Sequence, residues 1–100
     1  MKLPNIPSYD ASKKNIIKKY PALAEAIDIL ENKIIENPAN GKKEVLLIEN
    51  RHVTTRKRGM RTNLFSNRLP DHYLYLTINY GLTNTGDVAF LSVYLHDYVI

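Results

Sequence analysis

The sequence of 100 residues contains no cysteine, which excludes disulfide scaffolds, cysteine-ligated zinc and thiol nucleophiles. No apolar run approaches the ~18–20 residues that cross a membrane. The first residues lack the apolar segment of a secretory signal, so we expect a cytoplasmic protein without a membrane partner. The length allows one hydrophobic core, and we therefore predict a single domain over residues 1–100.

Compact catalytic and metal-binding signatures are also missing. The four glycines are isolated from one another, so there is no glycine-rich phosphate loop. The three histidines are 20 and 24 positions apart, and no HxH or HExxH motif occurs. No GxSxG motif supports a Ser/His/Asp triad. We expect neither a metal nor a small-molecule cofactor.

The net charge of +4 is unevenly distributed along the chain. Residues 1–50 have eight Lys/Arg and seven Asp/Glu, and residues 69–100 have three aspartates and no Lys or Arg. Residues 51–68 have six Lys/Arg and no acid, a net charge of +6. We call residues 51–68 the basic segment. Such a concentration of one sign favours an anionic partner.

The first half of the chain predicts two helices. Ser8 or Asp10 can cap a first helix that runs to about Tyr20. Pro21 fits the first position of a second helix, and Pro38 ends that helix. Apolar residues of the second helix recur every three or four positions, as expected for one buried face: Leu23, Ile27, Leu30 and Ile34.

The second half of the chain predicts an antiparallel sheet. Its expected strands are residues 45–48, 53–55, 62–65, 73–80 and 88–96. The first of these is apolar enough to be buried on both faces, and residues 57–60 are expected to form a turn. Helices followed by strands give an α+β fold, a helical hairpin packed on a small twisted sheet.

The last two predicted strands allow a deduction about their faces, because opposed residues of an antiparallel pair share a face. The predicted core positions are even-numbered on one strand and odd-numbered on the other: Leu74, Leu76 and Ile78, then Ala89, Leu91, Val93 and Leu95. With a loop centred near residue 84, His96 lies opposite Asp71 or Tyr73. Tyr94 lies opposite Tyr73 or Tyr75. These polar side chains then share the face away from the helices.

That polar face has two interpretations. It is an ordinary solvated sheet surface, since tyrosine and threonine are good strand formers, or it is a nucleic-acid site. Histidine exchanges protons near neutral pH. Arginine binds phosphate, and tyrosine stacks on unpaired bases. The neighbouring basic segment favours the second interpretation.

Four stretches of the sequence resemble the RelE/ParE superfamily of toxin–antitoxin toxins. KKYPALAEAI (residues 18–27) and ENPANG (residues 36–41) are similar to the helical motifs of that family. LPDHYLYL (residues 69–76) and LHDYVI (residues 95–100) resemble a strand and the closing motif of the YafQ-type mRNA endonucleases. Three positions depart from the family pattern: Asn67, His72 and Ile100.

The resemblance implies a ribosome-dependent endoribonuclease that needs no metal, acts on mRNA by 2′-hydroxyl attack, and is neutralised by a cognate antitoxin protein. His96 then matches the general acid. Asp71 or His52 serves as the base, and Arg61 and Arg68 position the phosphate. The expected RNA-binding residues are Arg56, Lys57, Arg58, Arg68, Tyr73 and Tyr98. Two alternatives stay open: a ParE-like gyrase inhibitor, and a catalytically silent nucleic-acid-binding module.

Overall fold

Two helices precede a four-stranded antiparallel sheet in the computed structural model, which describes residues 2–48, 51–65 and 72–99. For residues 46–48, 51–53, 65, 98 and 99 the description is of the backbone. The elements in chain order are α1 (Pro7–Lys19), α2 (Leu23–Glu36), a 3-10 turn (Pro38–Asn40), β1 (Lys42–Ile48), β2 (Arg51–Phe65), β3 (His72–Leu82) and β4 (Val88–Val99). The strands pair in that same order. The α+β class predicted from the sequence is confirmed.

The core lies between the helices and one face of the sheet. All four apolar residues predicted on the second helix are buried, and Ile27 and Ile34 are fully so. Ile27, Leu30 and Ile34 belong to one core cluster with sheet residues that include Leu76, Ile78 and Phe90. Truncating a buried Ile or Leu to Ala typically costs about 2–5 kcal/mol. In the described part of the chain, no helix is long and apolar enough to cross a membrane.

Both helices begin at positions other than the predicted ones. Ile6, and not Ser8 or Asp10, is the N-cap of α1, and its side chain makes no cap hydrogen bond. Pro7 instead starts the helix, because its fixed φ suits the first helical position and its missing N–H needs no partner there. In α2 the first helical residue is Leu23, so Pro21 precedes the helix within a turn.

Two predictions about the first two strands were wrong: the burial of β1 and the turn within β2. Val45 was predicted to be buried, but 61% of its surface is exposed, because β1 is an edge strand. The turn predicted at residues 57–60 is absent. Strand β2 instead continues for 15 residues and pairs with β1 on one side and β3 on the other, with a shift of its register against β3 between Arg61 and Phe65. Glycine at position 59 suggested the turn, yet it lies opposite Thr77 within the ladder.

The hairpin of β3 and β4 differs from the predicted register. His96 lies opposite Tyr75, and Tyr94 lies opposite Thr77. The connection follows Leu82 and precedes Val88, so it is centred one residue later than expected, and an irregularity between Asn79 and Tyr80 adds a further shift. The predicted sharing of faces by the tyrosines and His96 nevertheless holds.

The same irregularity changes which β4 side chains enter the core. Ala89 and Leu91 were expected there, but Val88 and Phe90 are buried before the irregularity and Val93 after it. An extra residue in one strand reverses the alternation of its side chains from that point onward. The prediction for Ala89 and Leu91 was therefore wrong, while that for Val93 was correct.

A buried carboxylate joins the two helices. Glu31 of α2 is 8% exposed and accepts hydrogen bonds from the hydroxyl of Tyr9 at 2.5 Å and from Nζ of Lys13 at 3.2 Å. Burial, followed by the hydrogen bond to Glu31, raises the pKa of Tyr9 above its ordinary value, so the hydroxyl stays a donor. The ring of Tyr9 stacks on Phe90 at a centroid distance of 5.3 Å. This group therefore ties α1 to both α2 and β4.

Replacing Tyr9 by Phe keeps the ring stacking but removes the hydroxyl that Glu31 needs. We expect the free energy of unfolding to fall by about 1–3 kcal/mol, the usual cost of leaving a buried acceptor short of a partner. Urea denaturation of Y9F measures this loss. The matched control is Tyr20→Phe, on the less buried end of α1, with an expected change within about 0.5 kcal/mol. Equal stabilities for the two variants would contradict the assignment.

Candidate nucleic-acid interface

The sheet has one face without helices, which we call the outer face. α1 packs on β4 and α2 packs on β2 and β3, all on the opposite side. Because directly opposed residues share a face, the register assigns the following residues to the outer face: Lys42 and Glu44 of β1, Lys57, Gly59 and Arg61 of β2, Tyr73, Tyr75 and Thr77 of β3, and Tyr94 and His96 of β4.

His96 lies in the centre of an aromatic cluster on this face. Its ring centroid is 5.1 Å from that of Tyr75 and 5.9 Å from that of Tyr94, both in tilted arrangements. Its Nε2 is 3.2 Å from Oγ1 of Thr77, a side chain that is itself 5% exposed. The imidazole is thus exposed to solvent on one side and held in place on the other.

The position of Tyr75 depends on the glycine beside it. A Cβ at position 59 would overlap the ring carbon Cε1 of Tyr75 and would lie 3.0 Å from the carbonyl oxygen of Leu76. Only glycine leaves this space free while β2 stays paired. The missing side chain therefore lets the Tyr75 ring lie across β2.

Two basic side chains approach the aromatic cluster from β2. The guanidinium of Arg61 lies over the ring of Tyr73, 4.5 Å from its centroid, a cation–π geometry that leaves the N–H donors of this exposed side chain accessible. Nζ of Lys57 is 2.7 Å from Oε1 of Glu44. That hydrogen bond raises the pKa of Lys57 above its ordinary value.

Two other predicted RNA-binding residues lie on the helix side. Arg56 donates from Nη1 to the carbonyl oxygens of Ala39 and Gly41, both at 3.1 Å. Arg58 donates to the carbonyl oxygen of Lys33, near the end of α2, at 2.9 Å. Both arginines therefore bind backbone carbonyls in or just after the end of α2. The structure therefore does not bring Arg56 and Arg58 to the outer face.

Of the remaining predicted site residues, the structure gives the backbone positions of two, His52 and Tyr98. His52 lies opposite Leu47, nine positions along β2 from Arg61, which is roughly 30 Å at strand spacing. The register therefore separates His52 from His96, contrary to their predicted roles as an acid–base pair. The backbone of Tyr98 lies opposite Tyr73. Asp71 and Arg68 lie outside the described residues.

Among the outer-face residues named above, sequence reasoning missed three: Lys42, Glu44 and Gly59. Gly59 became identifiable only once β2 and β3 were known to pair in this register. Lys42 and Glu44 precede the basic segment, and nothing in their own sequence context distinguishes them. Side chains alternate between the two faces along a strand, and this alternation in β2 could have assigned Lys57 and Arg61 to one face and their neighbours to the other.

The described residues include no group of three or more His, Asp and Glu side chains that could bind a metal ion. Comparison with models of protein families finds none that matches the chain, and no curated protein or solved structure matches it either. The resemblance to RelE/ParE toxins thus rests on the four short motifs quoted above and stays a prediction.

Replacing Gly59 by Ala tests how the aromatic cluster is held. The added methyl group displaces the Tyr75 ring, so its contact with His96 is lost, at a cost of about 1–3 kcal/mol of stability. Thermal unfolding measures the stability, and the ring-current shift on the His96 imidazole protons measures the displacement.

Gly81→Ala is the matched control, because nothing lies within 4 Å of a Cβ at that position. We expect this variant to be as stable as the wild type or slightly more so. An unchanged His96 proton spectrum in G59A would contradict the described packing.

Proposed function

We propose that the chain is the toxin of a toxin–antitoxin system, a cytoplasmic endoribonuclease that cleaves mRNA on the ribosome through its outer face. One observation carries the proposal: a solvent-exposed imidazole, His96, is surrounded by the rings of Tyr75 and Tyr94 and lies on the same face as Arg61. Stacking rings, a proton-transfer group and a phosphate-binding cation are the parts that RNA cleavage needs.

The proposed reaction uses the ribose 2′-oxygen as the nucleophile. It loses its proton to a base and attacks the adjacent phosphorus, and the O2′–P bond forms as the P–O5′ bond breaks. His96 donates a proton to the departing 5′-oxygen. The products end in a 2′,3′-cyclic phosphate and a 5′-hydroxyl. The base predicted from the sequence, Asp71, lies outside the described residues and stays a prediction.

The contacts of His96 suggest a different role for each of its two ring nitrogens. Thr77 binds Nε2 at 3.2 Å and fixes the orientation of the ring. We assign proton transfer to Nδ1. Arg61 is oriented by its stacking on Tyr73 and supplies a planar donor set that binds phosphate oxygens in pairs and stabilises their negative charge in the transition state.

The proposed partners follow from the same surface. Single-stranded mRNA on the ribosome places unpaired bases against the tyrosine rings and phosphates against Arg61 and Lys57. A cognate antitoxin protein that covers the outer face blocks both kinds of contact.

Binding without cleavage is a second candidate, and one observation favours it. Nε2 of His96 is already engaged by Thr77, and the position directly opposite His96 is Tyr75 where Asp71 or Tyr73 was expected. A face that only binds RNA needs no carboxylate beside its histidine. Under this alternative, purified protein binds single-stranded RNA with a steep salt dependence and leaves it intact.

Replacing His96 by Ala separates the two candidates. For the nuclease we expect cleavage of ribosome-bound mRNA to slow by about 10²–10⁴-fold, the typical contribution of a general acid, with the affinity for RNA changed far less. The measurement is a time course of programmed ribosomes with mapping of the new 5′ ends.

His72→Ala is the matched control, since the register places His72 on the other side of β3 from Tyr73. It should cleave like the wild type. If H96A and the wild type generate the same 5′ ends at the same rate, or if neither generates any, the nuclease proposal fails.

A further inference from the structure

A shallow depression of about 430 Å³ lies at the middle of the outer face. Gly59 and Thr77 are opposed in the β2–β3 ladder and lie at its base, where the rings of Tyr75 and His96 pack against them. Tyr94 borders it on the β4 side, and Lys42 and Lys57 border it on the β1 side. One edge of the depression is therefore aromatic and the other cationic.

The cationic edge has an unbalanced charge. Lys42 and Lys57 are directly opposed on neighbouring strands, so their Cβ atoms are about 5 Å apart, an arrangement that is unfavourable for two like charges. Glu44 neutralises Lys57 at 2.7 Å. Among the described residues Lys42 has no carboxylate partner. An anion between the two ammonium groups removes their repulsion.

The aromatic edge is open to a flat ligand. Tyr94 is 38% exposed, and its ring is tilted by 37° against that of His96. An exposed ring beside a second ring is a platform on which a nucleobase stacks, at about 1–3 kcal/mol per base.

The distance between the two edges matches one nucleotide. Tyr94 on β4 and Lys57 on β2 are separated by two inter-strand spacings and by two residues along the strand, which together give about 12 Å between their backbones. A base stacked on Tyr94 therefore has its ribose above Thr77 and its phosphate near Lys57.

We propose that this depression binds one nucleoside phosphate unit, with the base on Tyr94 and the phosphate between Lys42 and Lys57, and that Glu44 weakens the site by competing for Lys57. The inference rests on the proposed function in that the unit is one unpaired nucleotide of an RNA strand. It adds the subsite, the direction in which the nucleotide lies, and a residue that limits affinity.

The role of Glu44 follows from its geometry. Its carboxylate is on the same face as Lys57 and takes the position that a phosphate oxygen needs, so binding must break a contact of 2.7 Å. Removing the carboxylate charge frees Lys57 without altering the depression itself. Glu44→Gln is therefore expected to bind more tightly, whereas substitutions that remove a binding group weaken the complex.

The test is an NMR titration of the full chain with adenosine 3′-monophosphate, repeated with inorganic phosphate. Lys42→Ala and Lys57→Ala should each raise the Kd of both probes roughly tenfold, the loss of one charge-assisted contact. Tyr94→Ala should raise the Kd of the nucleotide roughly tenfold and leave that of phosphate unchanged. Glu44→Gln should lower the Kd about two- to fivefold.

Lys43→Ala is the matched control for Lys42→Ala. It removes the same charge from the next residue, but Lys43 is paired with Arg56 and lies on the other side of β1. We expect its Kd to stay within about twofold of the wild type. Equal losses for the two variants would show that binding is general electrostatic attraction, and would overturn the site.

Two further outcomes distinguish this inference from the proposed function. Single-stranded RNA should displace the bound nucleotide, and a failure to displace it overturns the assignment of the site to RNA. If the nucleotide does not bind while H96A still abolishes cleavage, the inference fails and the nuclease stands. If the nucleotide binds with the expected variant pattern and no RNA is cleaved, the site stands and the nuclease fails.

Discussion

The alternation of side chains along β2 organises the whole surface of this protein. Because the strand is unbroken for 15 residues, successive cations point to opposite sides of the sheet. Lys57 and Arg61 lie on the outer face, while Arg56 and Arg58 bind backbone carbonyls around the end of α2. A single run of positive charge in the sequence is therefore divided between two sides of the sheet: part of it binds backbone carbonyls near the end of α2, and part of it supplies the cations to which we assign phosphate binding.

Glycine at position 59 makes this arrangement compatible with an aromatic cluster. Its missing side chain lets Tyr75 lie across β2, and Tyr75 in turn contacts His96. Thr77, opposite Gly59, binds the imidazole from below. The geometry of the candidate site thus depends on Gly59 and Thr77 as much as on His96 itself.

The sequence predicted the features that depend on local pattern and missed those that depend on register. The apolar face of α2 was correct because a helical repeat is fixed by residues three and four positions apart. The sharing of a face by Tyr94 and His96 was correct because residues two positions apart on one strand lie on the same side of a sheet. Their sharing it with Tyr75 was correct because the irregularity near Asn79 offsets the one-residue shift of the connection. Their exact partners were wrong, since an irregularity near Asn79 shifts the ladder and no local signal marks it.

The site could be predicted in part for the same reason. Residue types indicated RNA chemistry, and His96 was the best candidate, but pairing His96 with His52 ignored the length of β2. Arg56 and Arg58 were assigned to RNA because charge alone does not tell a phosphate ligand from a helix-end ligand. The ion pair of Glu44 and Lys57 joins two strands and could not be found without their register.

The central claim is that RNA binds the outer face through its aromatic cluster, and photo-cross-linking tests it most directly. A single-stranded RNA is irradiated with the wild-type chain, and the linked peptides are identified by mass spectrometry. We expect adducts on Tyr75 or Tyr94, with Tyr20 at the end of α1 unmodified. Adducts concentrated on Tyr20 and the α1 lysines, with the outer-face tyrosines unmodified, would contradict it.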